Sequence, residues 1–113
     1  MRLEAKKCLY DIQEAADLLT KFVQDKIFAD YERDAMLRSA VERQFEIIGE
    51  ALSKLAKLDE RYVLSISEHK RIIAFRNILI HGYAQVDDRL VWDVLVTKLP
   101  VLWREVTEIM KQG

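Results

Sequence analysis

Four side chains in one short stretch have types and spacings suited to proton transfer and anion contact. They are Arg76, Asn77, His81 and Tyr83, within Arg71-Ile72-Ile73-Ala74-Phe75-Arg76-Asn77-Ile78-Leu79-Ile80-His81-Gly82-Tyr83. On a helix at about 100° per residue, Asn77 and His81 share a face, and Arg76 and Tyr83 stack two turns apart. An imidazole moves protons near neutral pH. A guanidinium keeps its charge throughout. On the helical wheel Arg76 falls among Ile72, Ile73, Leu79 and Ile80, inside an apolar arc. An unpaired cation in a dry site is costly. Arg76 must therefore meet an acid, open onto a cleft or face an anionic ligand.

The elements that carry these residues can be read from periodicity and capping signals. The stretch itself predicts a helix over about 68–83, with Ser67 as its N-cap and Gly82 as its stop. Tyr83 then falls at or just past the helix end. With Lys70, Arg71 and Arg76 against Glu68, it is the one clearly basic element. Upstream, Leu3, Cys8, Ile12, Ala15, Leu19, Phe22 and Val23 recur at three-and-four spacing, which predicts an amphipathic helix over 3–28. Asp30 is the expected cap of a second, long helix over roughly 31–57, with Leu37, Val41, Phe45, Ile48, Leu52 and Leu55 on one face.

Gly49 lies inside that second helix, where glycine costs on the order of 1 kcal/mol against alanine. It marks an expected close approach by another backbone. Arg38, Glu42, Glu46, Glu50 and Lys54 recur every four residues beside it. Such a stripe is either a solvated ion-pair face, at about 0.2–0.5 kcal/mol per pair, or the source of the acid that holds Arg76. Glu50, next to Gly49, is the favoured partner, with Glu46 as the other candidate. Residues 59–66 read as a connection with room for one helical turn. After Ala84-Gln85-Val86, Asp87 and Asp88 suit the start of a final helix. Pro100 is expected to kink or split it.

Bulk properties narrow the class. A chain of 113 residues suits one domain, here 1–113. Half the residues are hydrophobic and 33% are charged, a globular rather than disordered balance. Only 3 Gly and 1 Pro leave little room for the turns of a β protein, so helices are favoured. The net charge of −1 supplies no general attraction to polyanions, and any nucleic-acid contact needs a local patch. Cys8 stands alone, so no intrachain disulfide is expected; it reads as a small core residue. His69, His81 and the distant Cys8 do not form a ligand cluster, and no glycine-rich phosphate loop is present. No metal or cofactor is expected. With no run of 18 apolar residues and no apolar signal core, the chain reads as cytoplasmic and free of membrane.

Arg76, four residues and His81 form the shortest version of an Arg-X4–6-His signature, and on it the chain resembles the HEPN superfamily. The extension to Gly82-Tyr83 resembles the HepT-type (DUF86-like) branch, whose pattern is Arg, four residues, His, one residue, Tyr. The flanks, Ala40 to Ala51 and Val91-Trp92 through Leu99-Pro100, are similar to the same family, so the resemblance covers nearly the whole chain. It implies an all-α, up-and-down bundle of four or five helices that forms a homodimer, with two motifs meeting in one cleft. It also implies a metal-independent endoribonuclease toxin of a type VII-like toxin–antitoxin pair. Tyr83 is then the residue to which an MntA-like nucleotidyltransferase antitoxin attaches AMP.

The residues suit that chemistry. RNA is cut without metal when its own 2′-hydroxyl attacks the adjacent phosphate. His81 suits the proton transfer, and Arg76 suits the charge of the transition state. Asn77 can orient His81 or bond a phosphate oxygen. The motif helix is apolar almost all round, whereas a small bundle buries one stripe, which also points to a partner copy. The alternative is a non-catalytic HEPN-fold module whose Arg76 and His81 hold a nucleotide or a protein partner. A blander possibility is a purely structural helical dimer. Cleavage of RNA that depends on His81 separates the first reading from the others.

Overall fold

The structure is a computed structural model that describes residues 1–82 and 86–112. Its described residues form seven helices and no strand: α1 (Leu3–Phe22), α2 (Phe28–Arg33), α3 (Ala35–Leu58), α4 (Glu60–Leu64), α5 (His69–His81), α6 (Asp88–Thr97) and α7 (Leu99–Gln112). Two of them, α2 and α4, are only 6 and 5 residues long. The remaining five make the all-α bundle that the periodicity predicts. Among the described residues no helix is long and apolar enough to cross a membrane.

The boundaries differ from expectation at four places, each for a local reason. First, α1 stops at Phe22 rather than near 28, because the chain turns through Asp25 at φ 61°, a left-handed conformation that short polar residues tolerate. Second, Asp30 does not cap the long helix. Its carboxylate accepts the Ile27 N–H at 2.9 Å inside α2. Asp34 starts α3 instead, accepting the N–H groups of Met36 and Leu37 at 3.1 Å each. Third, Ser67 is not the N-cap of α5. Its N–H and hydroxyl both donate to Glu105 of α7, at 3.2 and 3.0 Å, while Glu68 occupies the cap position without a side-chain bond. Fourth, Pro100 splits the last helix, but the break falls at Lys98 and leaves Pro100 second in α7. That first turn needs no N–H from it. Asp87 caps α6 as expected, accepting from the Arg89 N–H at 2.9 Å.

α3 lies at the centre, packed on α1 along one side and on α5 along another; α7 packs on α1, and α2 joins α3 to α6. Leu9, Ile12, Leu19, Val41, Phe45, Ile48, Leu52, Leu55 and Val106 are all fully buried between these elements. Burying each such aliphatic side chain contributes roughly 1.5–3 kcal/mol. Phe45 of α3 meets Phe75 of α5 edge to face, with ring centroids 5.2 Å apart. Ile72 and Leu79 complete the buried stripe of α5. That stripe sets the rotation of α5, and so decides which side of the helix its polar residues occupy.

Candidate active site

α5 carries Arg76, Asn77 and His81; Arg76 and Asn77 are joined by a hydrogen bond, and among the described residues none joins His81 to either. Arg76 is the most firmly seated of them. Its stem lies directly on Gly49 of α3: a methyl built at Gly49 would overlap Arg76 Cβ and Cγ and stand 3.3 Å from Cδ. The close approach that Gly49 marks is thus by a side chain, not by another backbone as expected. The guanidinium follows from this seat. Nε is buried with no partner among the described residues, Nη1 donates to Asn77 Oδ1 at 3.1 Å, and Nη2 stands 3.6 Å from Glu50 Oε1. Of the two glutamates weighed for Arg76, the guanidinium reaches Glu50. At that distance the contact is ionic rather than a hydrogen bond.

Asn77 is exposed, and with its carbonyl oxygen engaged its amide N–H groups are left for other acceptors. It therefore bonds Arg76 in this structure rather than His81. His81 is the last residue of α5 and is exposed. Its ring makes no hydrogen bond among the described residues. Gly82 ends the helix in a right-handed conformation, φ −82°, its N–H donating to the Ile78 carbonyl at 2.7 Å. Tyr83 lies outside the described residues. Ile78 is 46% exposed beside this polar strip, and Ile73 and Ile80 are half-buried. α5 thus keeps apolar surface that the single chain does not cover.

The acidic stripe of α3 is not uniformly solvated. Burial pushes the Glu42 carboxyl up from its ordinary range, reinforced by the nearby charges of Asp88 and Glu46. Arg38 reaches Asp88 across the α3–α6 junction at 4.0 Å. The buried Tyr31 hydroxyl, without a partner among the described residues, lies beside this group and is also pushed up, chiefly by burial. Sequence reasoning missed this cluster, since spacing within α3 says nothing of what α6 brings against it. Between α1 and α3 opens a cavity of about 440 Å³, whose lining includes Lys7, Cys8, Ile47, Glu50 and Lys54. Glu50 thus belongs both to the Arg76 site and to this groove. Among the described residues no three His, Cys, Asp or Glu side chains are grouped to hold a metal ion.

The chain has relatives among known proteins. The model of the family described as "Ribonuclease HepT-like" matches residues 12–109, and the chain belongs to that family. A Methanocaldococcus jannaschii protein named "Putative RNase" is 36% identical over 103 residues, 91% of this chain and 94% of that one. A protein of the same name from Caldanaerobacter subterraneus subsp. tengcongensis is 34% identical, covering 92% of each chain. The "Probable ribonuclease HepT" of Thermococcus cleftensis is 32% identical over 98% of this chain and 100% of its own. No solved structure gives a significant match.

Proposed function

We propose that this chain is a metal-independent endoribonuclease and the toxin of a toxin–antitoxin pair. The observation that carries this reading is the strip on α5, where a seated Arg76 guanidinium, Asn77 and an exposed His81 lie within two turns. Family membership supports RNA as the substrate. The 2′-oxygen attacks the adjacent phosphorus as its proton leaves, and the bond to the 5′-oxygen breaks as that oxygen gains a proton. The products end in a 2′,3′-cyclic phosphate and a 5′-hydroxyl. His81 serves one of these proton transfers. Arg76 stabilises the added negative charge, and the free amide of Asn77 donates to a phosphate oxygen.

A homodimer supplies what one chain lacks. In a single chain Glu50 stands against Arg76, whereas two motif helices meeting across a two-fold axis bring two cations and two imidazoles together. The exposed Ile78 and half-buried Ile73 and Ile80 support such a contact. The test is RNA cleavage by purified protein in excess EDTA, with the product ends analysed. Cyclic-phosphate ends are expected. Cleavage that EDTA stops, or products with 3′-hydroxyl ends, would overturn the mechanism. RNA binding without cleavage would shift the reading to a binding module of the same fold.

Tyr83 follows His81 by two residues and is the proposed site of AMP attachment by a nucleotidyltransferase antitoxin. A phosphate placed there competes with RNA for Arg76. Tyr83→Phe should therefore keep cleavage in the presence of the antitoxin and ATP, under conditions that silence the wild type. A Tyr83→Phe protein silenced to the same extent would remove the modification from the account.

A further inference from the structure

Arg76 has fixed contacts besides Glu50. Its stem is wedged on Gly49, its Nε is buried, and Asn77 takes one Nη1 proton. What remains for an anion is the end of the guanidinium, Nη2 and the second proton of Nη1, a paired geometry that phosphate oxygens accept well. Glu50 covers that end. Its side chain is 48% exposed and, among the described residues, makes only the ionic contact at 3.6 Å. It also lines the open groove between α1 and α3, and so does Lys54, one turn further along the same helix. A glutamate four residues ahead of a lysine is the favourable order for an ion pair on a helix surface. Lys54 is exposed, and it has no ion-pair partner among the described residues.

We propose that Glu50 is a displaceable occupant of the Arg76 anion site. It covers the guanidinium in the free protein and moves across to Lys54 when an RNA phosphate takes its place. Glu50 thereby sets the affinity for RNA by competition rather than by positioning Arg76. This inference rests on the reading of the site as one that receives RNA phosphate.

The test measures binding of a short RNA with every ribose 2′-O-methylated, so that no 2′-hydroxyl can attack. Wild type is compared with Glu50→Gln, Glu46→Gln, Lys54→Met and the Glu50→Gln/Lys54→Met double variant. All the altered side chains lie at least partly open to solvent, and melting curves verify folding. Glu50→Gln should tighten binding about 1.5- to 5-fold, the range of an exposed ion pair. Glu46→Gln removes the same charge one turn away and should do clearly less. Lys54→Met should weaken binding in the wild-type background and have no effect beside Glu50→Gln, the coupling expected of two residues acting as a unit. Equal gains from both glutamine variants would reduce the effect to general charge and overturn the proposal. So would equal losses from Lys54→Met in both backgrounds, which would make Lys54 a direct RNA contact, or unchanged or weaker binding by Glu50→Gln. A wild type that binds this RNA but leaves unmethylated RNA intact would remove the nuclease reading alone, with the Glu50 comparison still decisive.

Discussion

Replacing His81 with alanine is expected to lower RNA cleavage by about 10²–10⁴-fold, the usual contribution of a positioned acid or base. The loss should appear in kcat, with KM nearly unchanged, because the seat of Arg76 on Gly49 does not involve the imidazole. Stability should stay within about 0.5 kcal/mol of wild type, as for other exposed substitutions away from packing. His81 is exposed at the last residue of α5 and takes no part in the buried stripe of Ile72, Phe75 and Leu79. Single-turnover cleavage beside thermal melting provides the check. Cleavage within threefold of wild type would take His81 out of the chemistry.

The second large effect is expected at Gly49. Alanine for glycine inside a helix ordinarily stabilises by about 0.5–1 kcal/mol. Here the added methyl meets Cβ and Cγ of Arg76. The Cβ cannot rotate away, because it is fixed to the α5 backbone, so the two helices must separate. Overpacking of this kind costs about 1–3 kcal/mol, which outweighs the propensity gain. Gly49→Ala should therefore melt several degrees below wild type. It should also cleave far less RNA, since a shift of about 1 Å in a catalytic group can cost about 10²-fold in rate. A Gly49→Ala protein that melts higher than wild type would show that α5 is not held against α3 as described.

The sequence made the helical bundle legible because its apolar residues recur with helical period along α1, α3, α6 and α7. It also made Arg76 conspicuous, as a permanent cation in an apolar arc, and pointed to the glutamates of α3. Capping was less legible. Asp30 and Asp34 are equally good caps by residue type, and which one starts α3 depends on the separate turn of α2. Ser67 reads as a cap only until Glu105, 38 residues on, claims its N–H and hydroxyl. Gly49 announced a close approach, but the identity of its neighbour is a tertiary fact. Helix spacing puts Asn77 on the face of His81, and in the structure its carbonyl accepts from the adjacent Arg76 guanidinium.

The attachment of α5 has a consequence for how the molecule opens. α5 buries Ile72, Phe75 and Leu79, against seven buried residues on α1 and eight on α3. It packs chiefly on α3, and its tethers to α7 through Ser67 and to the α6–α7 junction through the Glu68–Lys98 pair at 3.3 Å lie just before its start. The turns that carry Arg76 and His81 are held by the buried Phe75 and Leu79 and by the seat of Arg76 on Gly49. Free energies of local opening follow how much apolar contact a segment makes. With fewer buried residues than α1 or α3, α5 is expected to open at a lower free energy than they do, which amide hydrogen exchange would read out. Whatever grips these turns, whether RNA, a second copy or an inhibitor, suppresses a fluctuation as well as occupying a surface.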